Sequence, residues 1–446
     1  AVEGLGPGFD EGFFSGPSPG EVLIRVEFLV GVTSFEGAEY AVKATAGLPE
    51  LFGKTGDMDE VNTDGGGDRG HALNSNLQKV LAKVEITGGG RCNLTNSFSE
   101  IKDLRQAYPR GDKLMKRLFK VFNNEDTYRW FTAHGVPLTV QEDECIFPQS
   151  QNAHSVVDCL MQTARRLGVN ILTNYGVSTL KPLLNGDIRL LFTTQETRVF
   201  NRVIVATGGS PRIEGLKYLA DIGHEIVPPV PSLFTFNIAD KALKELMGTV
   251  VESVTATIPG TKLRADGALL ITHWGVSGPA ILKLSSYAAR YIAEQGYRFS
   301  LSVNWIGESN TTLIEQQLHQ LIISNSRKQV SSIHPYCLST RMWQYLLNRT
   351  VVEHDKKWGE LSKKALHKLI ETLTSDTYTV TGKGAFRDEF VTCGGVSLAS
   401  INPHTLESKT CPHLHFAGEV LDIDAITGGF NLQAAWTTGY VAGTNL

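Results

Sequence analysis

Phe416-Ala417-Gly418-Glu419-Val420-Leu421-Asp422-Ile423-Asp424-Ala425-Ile426-Thr427-Gly428-Gly429-Phe430-Asn431-Leu432-Gln433 is the stretch on which the fold turns. A strand over His413–Ala417 stops at Gly418, acidic residues suited to ribose or ribityl hydroxyls follow, and a terminal helix opens near Gly429 and runs to Gly443. A helix start exposes unpaired N–H groups and the positive end of the backbone dipole. Working outward, Asn201–Ala206 is a buried β-run that enters Thr207-Gly208-Gly209 directly. A strand ending in a glycine turn places the chain at the carboxyl edge of a sheet, where open α/β folds bind ligands. Further out lies Ile86-Thr87-Gly88-Gly89-Gly90-Arg91-Cys92-Asn93-Leu94-Thr95-Asn96. Three consecutive glycines leave three backbone N–H groups clear of side chains, as a phosphate cradle requires. Arg91 adds a fixed positive charge, and Asn93 an amide able to read the edge of a heterocycle. Strand, glycine turn and helix at both ends of the chain predict an α/β sheet assembled from discontinuous pieces.

Composition sets the outer limits. At 446 residues the chain is roughly three times the ~150 of a typical domain, so two or three domains are expected. Lys+Arg 42 against Asp+Glu 46 gives a net charge of −4, which argues against a protein built around attraction to nucleic acid or anionic membrane. Apolar residues at 41% and charged residues at 20% supply a sizeable core. The 44 glycines exceed the usual share and collect in GG and GGG clusters. Six cysteines without a CxxC are too sparse for a disulfide scaffold, so a reducing, cytoplasmic compartment is expected. No apolar run is long enough for a membrane span. The chain begins with Ala1, as a fragment or processed product would, and its first twenty residues fit neither a signal nor a transit peptide.

Along the chain, the Gly/Pro-rich residues 1–20 read as irregular, 21–32 as a strand, Ala38–Ala46 as a short helix, and 47–76 without periodicity. Asp112–Phe122 is an amphipathic helix, with Leu114, Met115, Leu118, Phe119 and Phe122 on one face and Lys113, Lys116, Arg117 and Lys120 elsewhere. Ser155–Gly168 is a second helix and Val169–Thr173 a strand. Ile188–Thr194 and Arg198–Val203 read as a hairpin-like pair. Pro228-Pro229-Val230-Pro231 is the strongest boundary signal, since prolines disfavour both helix and ladder. Beyond it come strands over 248–258 and 267–272, a helix from Gly278 to about Gln295, a strand over Phe299–Trp305 and helices across 310–373. Gly382-Lys383-Gly384 marks the return.

Taken together, KVEITGGGRCNLTN, ECIFPQSQNA, VIVATGGSP, GHEIVPPVPSL, LLITHWGVSGPAIL, VTCGGVSLASINP and FAGEVLDIDAITGGFNLQAAWTTGYVAG make residues 79–446 resemble a near-complete member of one family. That family comprises FAD-dependent oxidoreductases variously called YhiN-like, BaiN/RdsA-like or aminoacetone-oxidase-like. The resemblance implies a discontinuous Rossmann-like FAD-binding domain over 79–227 and 385–446. It implies a β-rich and helical insert over 228–384 on the substrate side, and leaves residues 1–78 as an atypical, partly disordered N-terminal segment. It also implies non-covalent FAD lined by Lys83, Thr87, Gly88, Gly89, Gly90, Val177, Thr207, Gly208, Glu419, Asp424, Gly428, Gly429, Phe430, Asn431 and Leu432, with Arg91, Asn93 and Gly418 of the same motifs beside them. Members begin with a strand, a G-x-G-x-x-G turn and a helix that form the pyrophosphate nest. Here only Gly65-Gly66-Gly67-Asp68-Arg69-Gly70 matches formally, with no buried strand before it and Asp64 and Asp68 set against a diphosphate. The first βαβ unit is therefore expected to be atypical or missing.

Three functions follow from this reading. In the first, hydride passes to or from a small conjugated carbonyl or carbon–carbon double bond, with NADH or NADPH as reductant and no acid–base side chain singled out. The second makes the substrate a uridine in structured RNA, reduced to dihydrouridine, with the Lys113–Lys120 face or the run Lys356–Lys368 touching phosphates. The third is a non-catalytic family remnant that has lost FAD. Cys92 beside Arg91, the alternating Cys411, His413 and His415, and the pair His273 and Trp274 are lesser candidates, for which core packing or a solvated face is the preferred reading. Neither a membrane partner nor an oligomeric state is indicated.

Overall fold

The computed structural model describes residues 22–26, 40–43, 80–350, 352–384 and 391–446. Strands β1 (Val22–Val26) and β2 (Tyr40–Lys43) run parallel, Val22 opposite Tyr40. Tyr40–Lys43 is thus a strand where helix was expected. The two strands of a first unit are present, so that unit is not missing. It is atypical: the connecting residues, 27–39, contain no G-x-G-x-x-G, and Gly65–Gly70 follows β2 and lies outside the described residues.

Helix α1 (Ala82–Gly90) is helical only through Ile86, because Thr87 is extended (ψ 149°) and Gly88, Gly89 and Gly90 all have positive φ. Strand β3 (Thr95–Asn96) follows, and then helices α2 (Asp112–Leu118) and α3 (Asn124–Ala133). With β4 (Leu138–Val140) and β5 (Cys145–Pro148), β3 makes a small antiparallel sheet in the order β3-β5-β4. Helix α2 buries Leu114, Met115 and Leu118 and leaves Lys113, Lys116, Arg117 and Lys120 exposed. Helix α4 (His154–Arg166) leads into β6 (Val169–Ile171), which pairs parallel with β2. An antiparallel sheet of β7 (Val177–Pro182), β8 (Ile188–Phe192) and β9 (Thr197–Phe200) precedes β10 (Arg202–Ala206).

Strand β10 pairs parallel with β1 on the side away from β2, and short helix α5 (Lys217–Ala220) lies beyond it. The β8–β9 register sets Leu191 opposite Thr197 in a hairpin, but the strand expected over Arg198–Val203 is divided between β9 and β10, and β10 belongs to the parallel sheet. Strand β11 (Ile226–Ser232) runs through the prolines read as a break. Its register shifts between Val227 and Val230, a bulge that carries Pro228 and Pro229 without demanding their ladder bonds.

Next comes a closed barrel, β12-β15-β14-β13-β16-β17, of β12 (Phe236–Ile238), β13 (Val250–Thr257), β14 (Arg264–Ile271), β15 (Gly275–Ser277), β16 (Phe299–Asn304) and β17 (Asp376–Lys383). The short helix α6 (Lys241–Lys244) follows β12, and α7 (Pro279–Tyr287) and α8 (Ala289–Glu294) follow β15, so the single helix expected from Gly278 is two, broken at Ala288. Helices α9 (Thr311–Asn325), α10 (Thr340–Thr350) and α11 (Lys363–Ser375) cover the barrel. Trp305, Trp343 and Trp358 are fully buried in its core. The barrel's Asp376 carboxylate accepts from Trp305 Nε1 at 3.0 Å, Arg349 Nε at 2.8 Å and the Tyr378 hydroxyl, a satisfied buried network.

Strand β18 (Val391–Val396) returns antiparallel to β11, and β19 (Leu414–Phe416) joins β10 in parallel before the last helix, α12 (Phe430–Thr444). The main sheet is therefore wholly parallel in the order β19-β10-β1-β2-β6. The chain moves outward from β1 through β2 to β6, then crosses to the opposite side of β1 for β10 and β19. That reversal between β1 and β10 is a topological switch point, the place where open α/β sheets bind ligands outside the carboxyl ends of their strands. Val203, Ile204, Val205 and Ala206 are all buried, the near-continuous apolar run of a strand covered on both faces.

Candidate functional site

Strand β10 ends in Thr207-Gly208-Gly209 and its neighbour β19 in Ala417-Gly418, and Gly208 (φ 69°) and Gly418 (φ 73°) both adopt the left-handed turn. The Thr207 hydroxyl stays on its own loop, donating to the Gly208 carbonyl at 3.4 Å. The Gly418 N–H donates to Thr438 Oγ1 of α12 at 2.8 Å. Gly209 has no room for a side chain: a Cβ there would lie 2.4 Å from Thr392 Oγ1 and 2.8 Å from Glu419 Oε1. Glu419 accepts from the Thr392 N–H at 2.6 Å and pairs with Lys83 Nζ at 3.6 Å. Lys83 of α1, Thr392 of β18, the glycine turn after β10 and Glu419 after β19 thus meet at one place.

The GGG loop and the start of α12 meet as well. With its amide oriented to satisfy both neighbours, Asn93 donates to the Thr95 carbonyl at 3.1 Å and accepts from the Gly429 N–H at 3.3 Å. Asn96 Nδ2 donates to the Gly428 carbonyl at 3.2 Å, Tyr108 OH to the Phe430 carbonyl at 2.9 Å, and Trp436 Nε1 to the Leu94 carbonyl at 2.9 Å. Gly429, at φ 87°, caps α12 so closely that a Cβ would sit 2.4 Å from the Thr95 carbonyl oxygen. The first-turn N–H groups of Phe430, Asn431 and Leu432 have no intrahelical acceptor, as at any helix start. Around Gly89 and Gly90 a Cβ would meet nothing within 4 Å, so these two glycines carry open backbone. Gly88 does not: its Cβ position is filled by the Asn93 backbone nitrogen and the Phe147 ring.

Other expected site residues have internal occupations. Thr87 donates to the Val84 carbonyl at 2.8 Å. Arg91 folds back, its guanidinium 4.4 Å over the Phe147 ring and its Nε donating to the Gly88 carbonyl at 3.1 Å. The Asn431 amide clamps Ala425, accepting from its N–H at 2.9 Å and donating to its carbonyl at 3.0 Å. Phe430 and Leu432 bury their side chains in the core, so these three can offer a ligand only main chain. Val177 opens β7 opposite Phe192 and packs against the main core.

By the sequence, Asp424 is a candidate partner for sugar hydroxyls. It is fully buried and bound to Arg110, whose Nε and Nη2 each donate to one of its carboxylate oxygens, and it also accepts from Ser232 Oγ at 3.0 Å. Burial raises its carboxyl pKa against the opposing pull of the Arg110 charge. Arg110, 314 positions away in sequence, leaves no local signal by which this pairing could be anticipated. Thr392 and Cys393, by contrast, lie in the quoted VTCGGV stretch. Burial pushes the Cys393 thiol up to about 11.

Among the lesser candidates, Cys92 is fully buried and burial pushes its thiol up to about 12, the reverse of activation by Arg91. Among the described residues no three or more His, Cys, Asp or Glu side chains could hold a metal ion, so Cys411, His413 and His415 form no such cluster. His273 is exposed, edge-on to Trp274 at 4.1 Å. No helix among the described residues is long and apolar enough to cross a membrane.

A parallel sheet with a switch point and glycine turns that end adjacent strands is a Rossmann-type architecture. The chain belongs to the HI0933-like protein Rossmann domain family, whose model matches residues 58–445. It is similar to a 3-dehydro-bile acid delta(4,6)-reductase of Clostridium scindens, 27% identical over 378 residues that cover 82% of this chain and 90% of the relative. It is also similar to two proteins named ribosomal RNA dihydrouridine synthase. The one from Haemophilus influenzae is 26% identical over 382 residues, covering 83% of this chain and 91% of the relative. The one from Escherichia coli is 27% identical over 386 residues, covering 84% and 91%.

Proposed function

We propose that this chain is an FAD-dependent oxidoreductase that transfers hydride to or from a small conjugated carbonyl or carbon–carbon double bond, with NADH or NADPH as reductant. The observation that carries the proposal is the meeting of four separate segments at the carboxyl edge of the sheet, Lys83, the turn Thr207–Gly209, Thr392 and Glu419, with the start of α12 held against the segment that follows the glycine loop. The open backbone at Gly89 and Gly90 and the free amides of α12 fit a planar, polar-edged nucleotide better than a packed core, where such groups would be covered. Bound FAD would supply hydride transfer at its flavin N5. The chain's own contribution would be threefold. The α12 amides would favour negative charge at the edge of the ring. Lys83 and Glu419 would hold polar groups of the cofactor, and the barrel region would shield the reacting face from water.

The reductase relative acts, by its name, on a bile acid, and a conjugated steroid-type enone is accordingly the first substrate to try. Purified protein supplied with NADH or NADPH is assayed anaerobically against a panel of conjugated ketones and, in parallel, against a uridine-rich ribosomal RNA fragment. Enone-dependent oxidation of the nicotinamide is expected. Turnover of RNA alone, falling steeply with added salt as phosphate contacts are screened, would refute the small-molecule reading.

A further inference from the structure

Three contacts tie the loop that leads into α12 to the barrel region and the strands beside it, and a fourth ties α7 to the Rossmann half. Arg290 of α8 donates through Nη2 to both carboxylate oxygens of Asp422, at 2.7 Å each. Two residues on, Asp424 accepts from Arg110 on both oxygens, while Arg110 Nη1 donates to the carbonyl of Ser286 in the last turn of α7 at 2.7 Å. Ser232 Oγ, at the end of the strand that enters the barrel, donates to the same Asp424 at 3.0 Å. Tyr287 OH donates to the Gln106 carbonyl at 2.7 Å, fastening α7 to the Rossmann half a second time. The loop itself is rigidly joined to the helix it precedes, because Asn431 clamps both backbone groups of Ala425.

From this we infer that Arg110 and Arg290 are positioning residues, coupling the placement of α7 and α8 to the placement of the α12 helix start. Asp422 and Asp424 stand at alternate positions, one taken by an arginine of the barrel region, the other by an arginine of the Rossmann half that also grips α7. The Arg110–Asp424 pair is a two-nitrogen fork, which fixes direction as well as distance, and the Arg290–Asp422 pair is a charge-assisted contact of one nitrogen shared by both oxygens, so a shift of α7–α8 must move the loop or break one of these pairs. The Asp424 pair is buried and costly to break, whereas the Arg290–Asp422 pair is half exposed and separable, with side-chain exposures of 44% and 15%. Coupling of this kind is reciprocal: whatever binds at the α12 helix start steadies α7–α8, and a substrate that settles α7–α8 improves the hold on the cofactor.

This inference rests on the flavin reading above. Its test measures hydrogen exchange across residues 279–294 in the whole protein, with and without FAD, for the unaltered chain, Arg290→Ala and Arg110→Lys. The lysine variant keeps the charge but loses the fork. In the unaltered chain FAD is expected to slow exchange in α7–α8 several-fold. Arg290→Ala is expected to bind FAD within about tenfold of the unaltered affinity and to lose that slowing. Arg110→Lys is expected to weaken FAD by about tenfold or more and to lose the slowing as well. A purely structural role would leave the FAD-dependent slowing intact in Arg290→Ala, and that result would overturn the inference. FAD binding without any slowing in the unaltered chain would overturn it alone, and an unaltered chain that binds no FAD would overturn it together with the flavin reading.

Discussion

Gly429→Ala separates close backbone approach from ordinary glycine turn geometry. At φ 87° a non-glycine residue costs about 1–2 kcal/mol. The new methyl would also stand 2.4 Å from the Thr95 carbonyl oxygen, roughly 1 Å inside contact distance, and the obstacle is main chain that cannot rotate aside. Relief requires α12 to back away from β3, which lengthens the Asn93 and Asn96 bonds to Gly429 and Gly428, worth about 1 kcal/mol each. The expected loss is therefore about 3–4 kcal/mol in urea unfolding of the segment that carries α12, together with loss of FAD binding. Gly89→Ala is the control: its φ is 68°, but nothing lies within 4 Å of the added methyl, so about 1–2 kcal/mol is expected. Equal losses in the two variants would refute the claim that the turn at Gly429 is held against Thr95.

Lys83→Ala should lower FAD affinity several-fold while changing stability by less than about 1 kcal/mol, since its ion pair with Glu419 is partly exposed; binding titrations and urea melts check the two effects separately. Burial lowers the His415 pKa from the usual 6.5 to about 4, so the unfolded chain takes up a proton that the folded chain refuses. Stability is then full above about pH 6.5 and falls by about 3 kcal/mol as pH drops to 4, and a neutral isostere such as His415→Gln should flatten urea midpoints over that window. Of the six cysteines only Cys337 is exposed, so a thiol reagent should label one site quickly in the native protein, and rapid labelling of Cys92 or Cys393 would contradict their burial.

The elements nearest the site were the most legible in the sequence. Strand β10, the turn after it, β19 and α12 each announce themselves by an apolar run that ends on glycine, a local signal with a local cause. Alanines at 38, 41, 44 and 46 favour helix over Ala38–Ala46, whereas the position of Tyr40–Lys43 between two parallel neighbours decides for strand. The prolines at 228, 229 and 231 mark the entry to the barrel but do not interrupt the strand. Gly394, opposite them, is what makes the passage possible, as a Cβ there would lie 2.6 Å from the Pro228 carbonyl oxygen. Asp424 suits a sugar hydroxyl by sequence alone because its partners, Arg110 and Ser232, are brought to it only by tertiary packing. Asn93 and Arg91 have the chemistry of ligand-reading side chains, yet the structure spends Asn93 on Thr95 and Gly429 and Arg91 on Gly88 and Phe147.

The most direct measurement of the central claim is a titration of the purified protein with FAD, followed by visible absorbance and by release of the flavin on heating. One FAD per chain, bound non-covalently and recovered intact after heat denaturation, is the predicted result. A well-folded, colourless protein that takes up no added FAD would contradict the account.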